Sequence, residues 1–259
     1  MDKILLFIPA YNCEKQIIRV LKQIDEGAKK HITEVIVVNN RSTDETEQAV
    51  LTFNSEYADL NIRLLRNCQN YNLGGSHKVA FDYAIKNEFD YVIVLHGDDQ
   101  GDIHDLLPFL ENGEYKNHDC CLGARFKAGS RLVGYSKFRT FGNIVFNKIF
   151  SVLLFKKIYD LGSGLNIYRV SMLNDRFYAR FPNKLTFNYC MIMAADYYNH
   201  DMFFFPISWR EDDQFSNVKL TSQAFNVLGM LIKYFFLRGK FIKSDLCAGA
   251  IDYAAEEVL

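Results

Sequence analysis

Proline is scarce in this chain of 259 residues, at 4, tryptophan occurs once, and no Pro/Ser-rich stretch or internal repeat interrupts it. Flexible linkers and low-complexity tracts are thereby excluded. The six cysteines, at 13, 68, 120, 121, 190 and 247, form no C-x-x-C pair, and several lie inside apolar runs. Such usage argues against a disulfide framework and predicts reduced, buried thiols in a cytosolic compartment. His31, His77, His104, His118 and His200 lack zinc-ligand spacing. Long hydrophobic runs are missing as well. The stretches 144–155 and 225–242 are broken by Asn147 and Lys148, and by Lys233 and Arg238, so no membrane-spanning helix is expected. Met1-Asp2-Lys3 runs directly into a strand-like segment, and no secretory leader is expected. Acidic residues are absent from 120–159, which holds eight Lys or Arg, and from 214–244, which holds five. With a net charge of −1 overall, the rest of the chain is strongly acidic. That asymmetry points to an anionic partner, and the interleaved Phe126, Tyr135, Phe138, Phe141, Phe146, Phe150 and Phe155 suit the headgroup region of a membrane. Basic solvated faces over an aromatic core give the same composition. No nucleic-acid reading motif accompanies the basic residues, so nucleic acid is not an expected partner.

What is present is a large apolar share, 49%, with 22 Phe and 15 Tyr, enough to bury a sizeable core. Lys3–Ile8 reads as a first strand, followed by Ile17, Val20, Leu21 and Ile24 at helical spacing over about four turns. Glu34–Val38 is a second strand, after which Ser42 and Glu45 stand three apart as a capping box. Asn61–Arg66 is a third, and Ser76 is placed to cap the helix of Val79, Ala80, Tyr83 and Ala84. Tyr91–Leu95 is the fourth. Strands alternating with helices predict an α/β fold with a mostly parallel, doubly wound sheet. Further on, Cys120–Ala124 and Met202–Trp209 read as strands, and Lys137–Phe155, Leu185–Tyr198 and Thr221–Arg238 as helices. One catalytic domain is expected over 1–220, with a donor-binding half at 1–110 and an acceptor-side half at 111–220. Residues 221–259 form a C-terminal amphipathic helical appendage.

The chain is organised around Tyr91–Asp102, YVIVLHGDDQGD, where a β-branched run passes into a carboxylate-rich loop. In open α/β sheets, ligands bind outside the carboxyl ends of the parallel strands. Extended alternation puts His96, Asp98 and Gln100 on one side and Asp99 on the other. Oxygen donors two residues apart suit a hard divalent cation that completes its shell with water and substrate phosphates. Gly-Asp-Asp is equally a common polar turn after a strand.

Three stretches occur in order: Ile8-Pro9-Ala10-Tyr11-Asn12, Val37-Val38-Asn39-Asn40-Arg41-Ser42-Thr43-Asp44 and His96-Gly97-Asp98-Asp99-Gln100. Together they resemble the family 2 glycosyltransferases of the GT-A fold. Gly123-Ala124-Arg125-Phe126 and Asp160-Leu161-Gly162-Ser163-Gly164-Leu165 are similar to the dolichyl- and polyprenyl-phosphate sugar transferase branch. The resemblance implies an NDP-sugar donor, Mg2+ or Mn2+, and inversion at the anomeric carbon. By position it implies donor contacts from Pro9, Ala10, Tyr11, Asn12, Asn40, Asp98 and Asp99, and metal ligation by Asp98, Gln100 and His96. Asn39 and Asn40 stand where the family commonly has Asp, and His96 replaces the first Asp of an Asp-x-Asp-x-Gln pattern. Catalytic roles fall to Asp98, Asp99 and Asp212. No carboxylate stands around Phe187-Asn188-Tyr189, where hydroxyl-acceptor relatives place a base. An acceptor that is already an anion needs no base, which fits a polyprenyl phosphate held by Arg125, Arg131, Arg139, Ser163 and Lys219. Glu211-Asp212-Asp213 offers a displaced base for a sugar hydroxyl instead. The expected partners are therefore the NDP-sugar, a lipid-linked or glycan acceptor, an anionic membrane surface at the cytoplasmic face and a second copy of the chain. A relative that has lost catalysis and only binds is the alternative.

Overall fold

The computed structural model describes residues 2–57, 59–211, 220–247 and 252–259. Its centre is an eight-stranded sheet in the order β10-β3-β2-β1-β4-β7-β5-β8. The first strands are β1 (Ile4–Ala10), β2 (Glu34–Asn39), β3 (Ile62–Asn67) and β4 (Tyr91–Leu95); β5 is Cys120–Ala124, β7 Leu165–Arg169, β8 Met202–Pro206 and β10 Ala255–Glu257. β6 (Arg131–Val133) and β9 (Ser208–Arg210) pair separately. β3, β2, β1 and β4 run parallel, as do β5 and β8. β7 is inserted antiparallel between β4 and β5, and β10 lies antiparallel on β3. The α/β fold with a mostly parallel sheet flanked by helices is as expected.

Alternation along the buried strands builds two cores. Leu5, Phe7, Ile36, Val38, Val92 and Val94 face one side, with Phe81 of α4 (Asn72–Lys86), Phe150 of α6 (Lys137–Leu154) and Phe187 of α7 (Thr186–Tyr197). Leu6, Ile8, Val35, Val37, Ile93 and Leu95 face the other, with Ile17, Val20 and Leu21 of α1 (Glu14–Lys22) and Val50 and Phe53 of α3 (Thr46–Glu56). A period of two on parallel strands buried on both faces is what a doubly wound sheet requires. Short helices α2 (Glu26–Lys29) and α5 (Leu107–Glu111) fill the edges.

Several local expectations change. The first helix ends at Lys22, well short of four turns, and the chain turns into α2. Ser42 and Glu45 form no capping box: Asp44 Oδ1 accepts from Thr46 N at 3.1 Å and caps α3 instead. α4 begins at Asn72, so Ser76 is interior and its Oγ accepts from Asn67 Nδ2 at 3.0 Å. The single strand read across 202–209 breaks at Ile207 into β8 and β9. α8 (Leu220–Phe236) and α9 (Arg238–Lys243) bury Val227, Leu231, Tyr234, Phe241 and Ile242 in the main core, and β10 extends the central sheet. Among the described residues, no helix is long and apolar enough to cross a membrane.

Candidate functional site

The carboxyl ends of β1, β2 and β4 meet at one place. Gly97 N donates to Pro9 O at 3.1 Å, and a Cβ at Gly97 would stand 2.9 Å from that oxygen. Only glycine lets the loop after β4 lie this close to the tip of β1. Asn40 N donates to Ala10 O at 2.9 Å and joins β2 to the same edge.

Asp98 sits in this junction. Its Oδ1 accepts from Gln100 N at 3.2 Å, and no cationic side chain hydrogen-bonds it among the described residues. Burial pushes its carboxyl up to about 6; the Gln100 N–H pulls it down, and the neighbouring Asp99 charge adds to the rise. The Gln100 side chain likewise has no hydrogen-bond partner among the described residues, while Gln100 O accepts from Arg210 N at 3.0 Å.

Asp99 does not join this site. It adopts a left-handed backbone (φ 61°), which turns its buried carboxylate away into a cage of Arg19, Arg210 and Gln23. Gln23 Nε2 donates to Asp99 Oδ1 at 3.0 Å, and Arg210 Nε to Asp99 O at 2.7 Å. In this arrangement the Asp99 carboxylate anchors the loop. These anchors, Arg19, Gln23 and Arg210, lie far from Asp99 in sequence and carry no local signal.

His96 is packed rather than presented. Its N donates to Gly164 O at 2.9 Å, a Cβ at Gly164 would fall 2.7 Å from His96 Cγ, and its ring lies 6.2 Å from that of His77. Burial, with the Arg125 charge, lowers it to about 4, so the ring is neutral at pH 7. Its Nε2 is buried without a partner. No group of three His, Cys, Asp or Glu side chains among the described residues converges as a metal cage.

The residues still fit a divalent cation in one respect. Asp98 is a recessed carboxylate that no cationic side chain hydrogen-bonds among the described residues, with the Arg125 charge acting on it only at a distance, and Mg2+ is commonly bound through one or two carboxylates with the remaining ligands from substrate phosphates and water. Asp98 would hold the ion, with the Gln100 amide beside it.

Much of the expected donor and acceptor set is spent inside the protein. Asn40 Oδ1 accepts from Asn67 Nδ2 at 2.9 Å and Tyr71 N at 2.8 Å, and its Nδ2 donates to Asn70 Oδ1 at 2.9 Å, which occupies the oxygen and one of the two amide hydrogens. Asn39 donates to Glu47 Oε2 at 2.8 Å and accepts from Ser42 N at 2.9 Å. Asn12 Oδ1 accepts from Thr43 N at 2.8 Å. Pro9 and Ala10 are buried and offer the edge mainly their carbonyls, whereas Tyr11 is half exposed beside them.

On the other flank, Arg125 makes a bidentate pair with Asp160, Nε to Oδ2 at 2.8 Å and Nη2 to Oδ1 at 2.9 Å. Burial opposes its charge, yet Asp160 raises its pKa further still. Asp160 Oδ1 also takes Leu161 N at 2.7 Å and Gly162 N at 3.1 Å, so this pair shapes the 160–164 loop. Arg139 Nη1 donates to Glu211 Oε2 at 2.6 Å. Both arginines are therefore paired with carboxylates in this arrangement. Ser163 is buried, and its Oγ lies 3.2 Å from both Leu165 O and Asn166 Oδ1. Arg131 is exposed on β6, and its charge lowers the raised carboxyl of Asp105. Asp212, Asp213 and Lys219 lie outside the described residues.

Two groups not anticipated complete the rim. Asn188 Oδ1 is buried without a partner among the described residues, with its Nδ2 3.9 Å from where a Gly162 Cβ would be. Trp209 Nε1 is a buried donor without an acceptor among the described residues, and Trp209 bridges to Gly101. The Arg125 guanidinium stacks 4.9 Å from the Trp209 ring. A hollow lined by Asp90, Tyr91, Arg169 and Asn174 lies at the amino end of β4, opposite this site.

Comparison with known proteins gives a consistent picture. The model of the glycosyl transferase family 2 matches residues 6–177, more than half of the chain. An uncharacterized protein of Methanocaldococcus jannaschii is 27% identical over 172 residues, 65% of this chain and 72% of that protein. Amylovoran biosynthesis glycosyltransferase AmsB of Erwinia amylovora is 32% identical over 93 residues, 36% of this chain and 30% of that protein. Among solved structures, glucosyl-3-phosphoglycerate synthase of Mycobacterium tuberculosis with UDP superposes with a TM-score of 0.64 at 13% identity, covering 91% of this chain and 80% of that one. S. aureus TarS 1–349 in complex with UDP-GlcNAc gives 0.59 at 21% identity, covering 94% and 68%.

Proposed function

The chain belongs to glycosyl transferase family 2, and on that premise we propose that it moves a sugar, with inversion, from a nucleoside diphosphate donor to a lipid-linked acceptor at the cytoplasmic membrane face. One observation carries the donor half: the recessed Asp98 carboxylate, hydrogen-bonded by no cationic side chain among the described residues, at the meeting point of β1, β2 and β4. A divalent cation bound there supplies charge neutralisation for the departing diphosphate. The chain's own work is positional. The Asp99 cage holds the loop, the Gly97–Pro9 contact sets it against β1, and the exposed ring of Tyr11 stands where a base can stack. UDP-sugars are the first donors to test, because related folds were crystallised with UDP, UDP-GlcNAc, and Mn2+ with UDP-glucose.

For the acceptor, the absence of a carboxylate at Asn188 favours a nucleophile that is already ionised, such as a polyprenyl phosphate, with Arg131 as the cation left to meet it. The resemblance to an amylovoran glycosyltransferase supports a place in surface polysaccharide synthesis. A sugar hydroxyl activated from 211–213 is the second reading; Glu211 speaks against itself, since Arg139 already engages it. The test is release of nucleoside diphosphate from UDP-, GDP-, CDP- and dTDP-sugars with Mn2+, with and without polyprenyl phosphate. Stimulation by the phospholipid and indifference to Asp212→Asn and Asp213→Asn are expected. No release from any donor would leave a binding protein, and loss of transfer in one amide variant would favour the hydroxyl acceptor.

A further inference from the structure

We propose that α6 and α8 together form a platform that seats the protein in the headgroup layer of an anionic bilayer, with the sugar-transfer site at its rim. α6 carries two faces. Asn147, Phe150 and Leu154 turn inward, whereas Phe138, Phe141, Val145 and Val152 recur at intervals of three, four and seven on the opposite side. Phe138 is 79% exposed, and Phe155, at the helix end, 85%. α8 repeats the arrangement. Val227, Leu231 and Tyr234 are buried, while Phe225, 77% exposed, Ile232 and Phe236, 75% exposed, share the outer face. The two helices touch each other and bury their inner faces in one core, so both outer stripes lie on the same side of the molecule.

Aromatic side chains exposed to this degree along two adjacent helices mark an interaction surface. Its charge selects the partner. No Asp or Glu occurs in 120–159 or 214–244, and Lys137, Lys148, Lys157, Lys233 and Lys240 have no carboxylate partner among the described residues. Phenylalanine anchors edged by lysines are the composition of a helix lying in an anionic membrane interface, and no described helix is built to span one. The platform also starts at the site. α6 follows directly on β6, which pairs with β9, whose Trp209 bridges to Gly101, and Arg139 in its first turn holds Glu211. A phosphate at headgroup depth therefore lies beside the loop that carries Asp98.

This rests on the lipid-acceptor reading, and flotation with vesicles separates the two. Wild-type protein is expected to float with phosphatidylcholine vesicles containing phosphatidylglycerol, and to be released by high salt or by omitting the anionic lipid. Phe141→Glu with Phe236→Glu should lower partitioning at least tenfold with the melting temperature unchanged. Lys148→Glu and Lys233→Glu should each lower it about fivefold or more, and they serve if the phenylalanine variants fail to fold. Release of nucleoside diphosphate without vesicles is measured on the same preparations and should be unchanged in all four substitutions. Equal flotation of wild type and variants overturns the platform, as does a concentration-dependent dimer abolished by Phe141→Glu in a protein that ignores vesicles. Vesicle binding without release from any donor leaves the platform standing and removes the catalytic reading.

Discussion

Burial pushes the Asp98 carboxyl up to about 6, from an ordinary value near 3.8, so at neutral pH the folded chain carries a recessed carboxylate with a single hydrogen bond. Because the folded value is the higher one, the folded state binds the proton more tightly. The destabilisation is complete above about pH 6 and is relieved as pH falls towards 4. Asp98→Asn should therefore stabilise the metal-free protein at pH 7 by about 1–2 kcal/mol, after allowing for the partial openness of the site. The gain should vanish near pH 4 in thermal melts, while nucleoside diphosphate release falls at least about a hundredfold. Asp99→Asn acts in the opposite direction. It leaves the half-exposed Arg19 and Arg210 facing a neutral amide, and unfolding by urea should show a loss of about 2 kcal/mol. The different fates of these neighbouring aspartates were only half legible in the sequence. Alternation placed them on opposite sides, but the family pattern invited a donor role for both. The left-handed backbone at Asp99 and three anchors distant in sequence decide the matter, and none of these leaves a local trace.

The loop after β4 is held by two close approaches, Gly97 on Pro9 and Gly164 on His96. Gly97→Ala puts a methyl group 2.9 Å from a carbonyl oxygen on β1, which must move the loop because the backbone cannot yield. Donor release should drop more than about tenfold with little change in secondary structure by circular dichroism, since positioning errors near 1 Å are costly. Strands β1, β2 and β4 were legible as apolar runs because burial on both faces makes that pattern necessary. Helix starts were not. The start of α4 depends on the positive φ of Asn72 and on Gly74 packing against Pro182 O, contacts that exist only in the folded chain. The partners of the acceptor arginines were hidden for a related reason: Arg125 and Arg139 looked unopposed within an acid-free segment, but Asp160 and Glu211 reach them from outside it.

At the scale of the molecule, the chain's end closes the sheet. β10 covers the edge of β3, and Arg63–Glu257 and Arg66–Glu256 pairs lie across it. Surface pairs contribute little, so covering the edge is the larger effect. Removing residues 252–259 should expose β3 and produce concentration-dependent aggregation, visible by light scattering, at temperatures where the full chain stays clear. The central claim concerns a cation and a diphosphate brought together on one carboxylate, and titration of Mn2+ followed by electron paramagnetic resonance tests it most directly. With UDP, GDP, CDP or dTDP present, the wild-type chain should bind one Mn2+ far more tightly than it does with the metal alone, and Asp98→Asn should lose that increment. An Asp98→Asn variant that binds Mn2+ and nucleotide as the wild type does would contradict it.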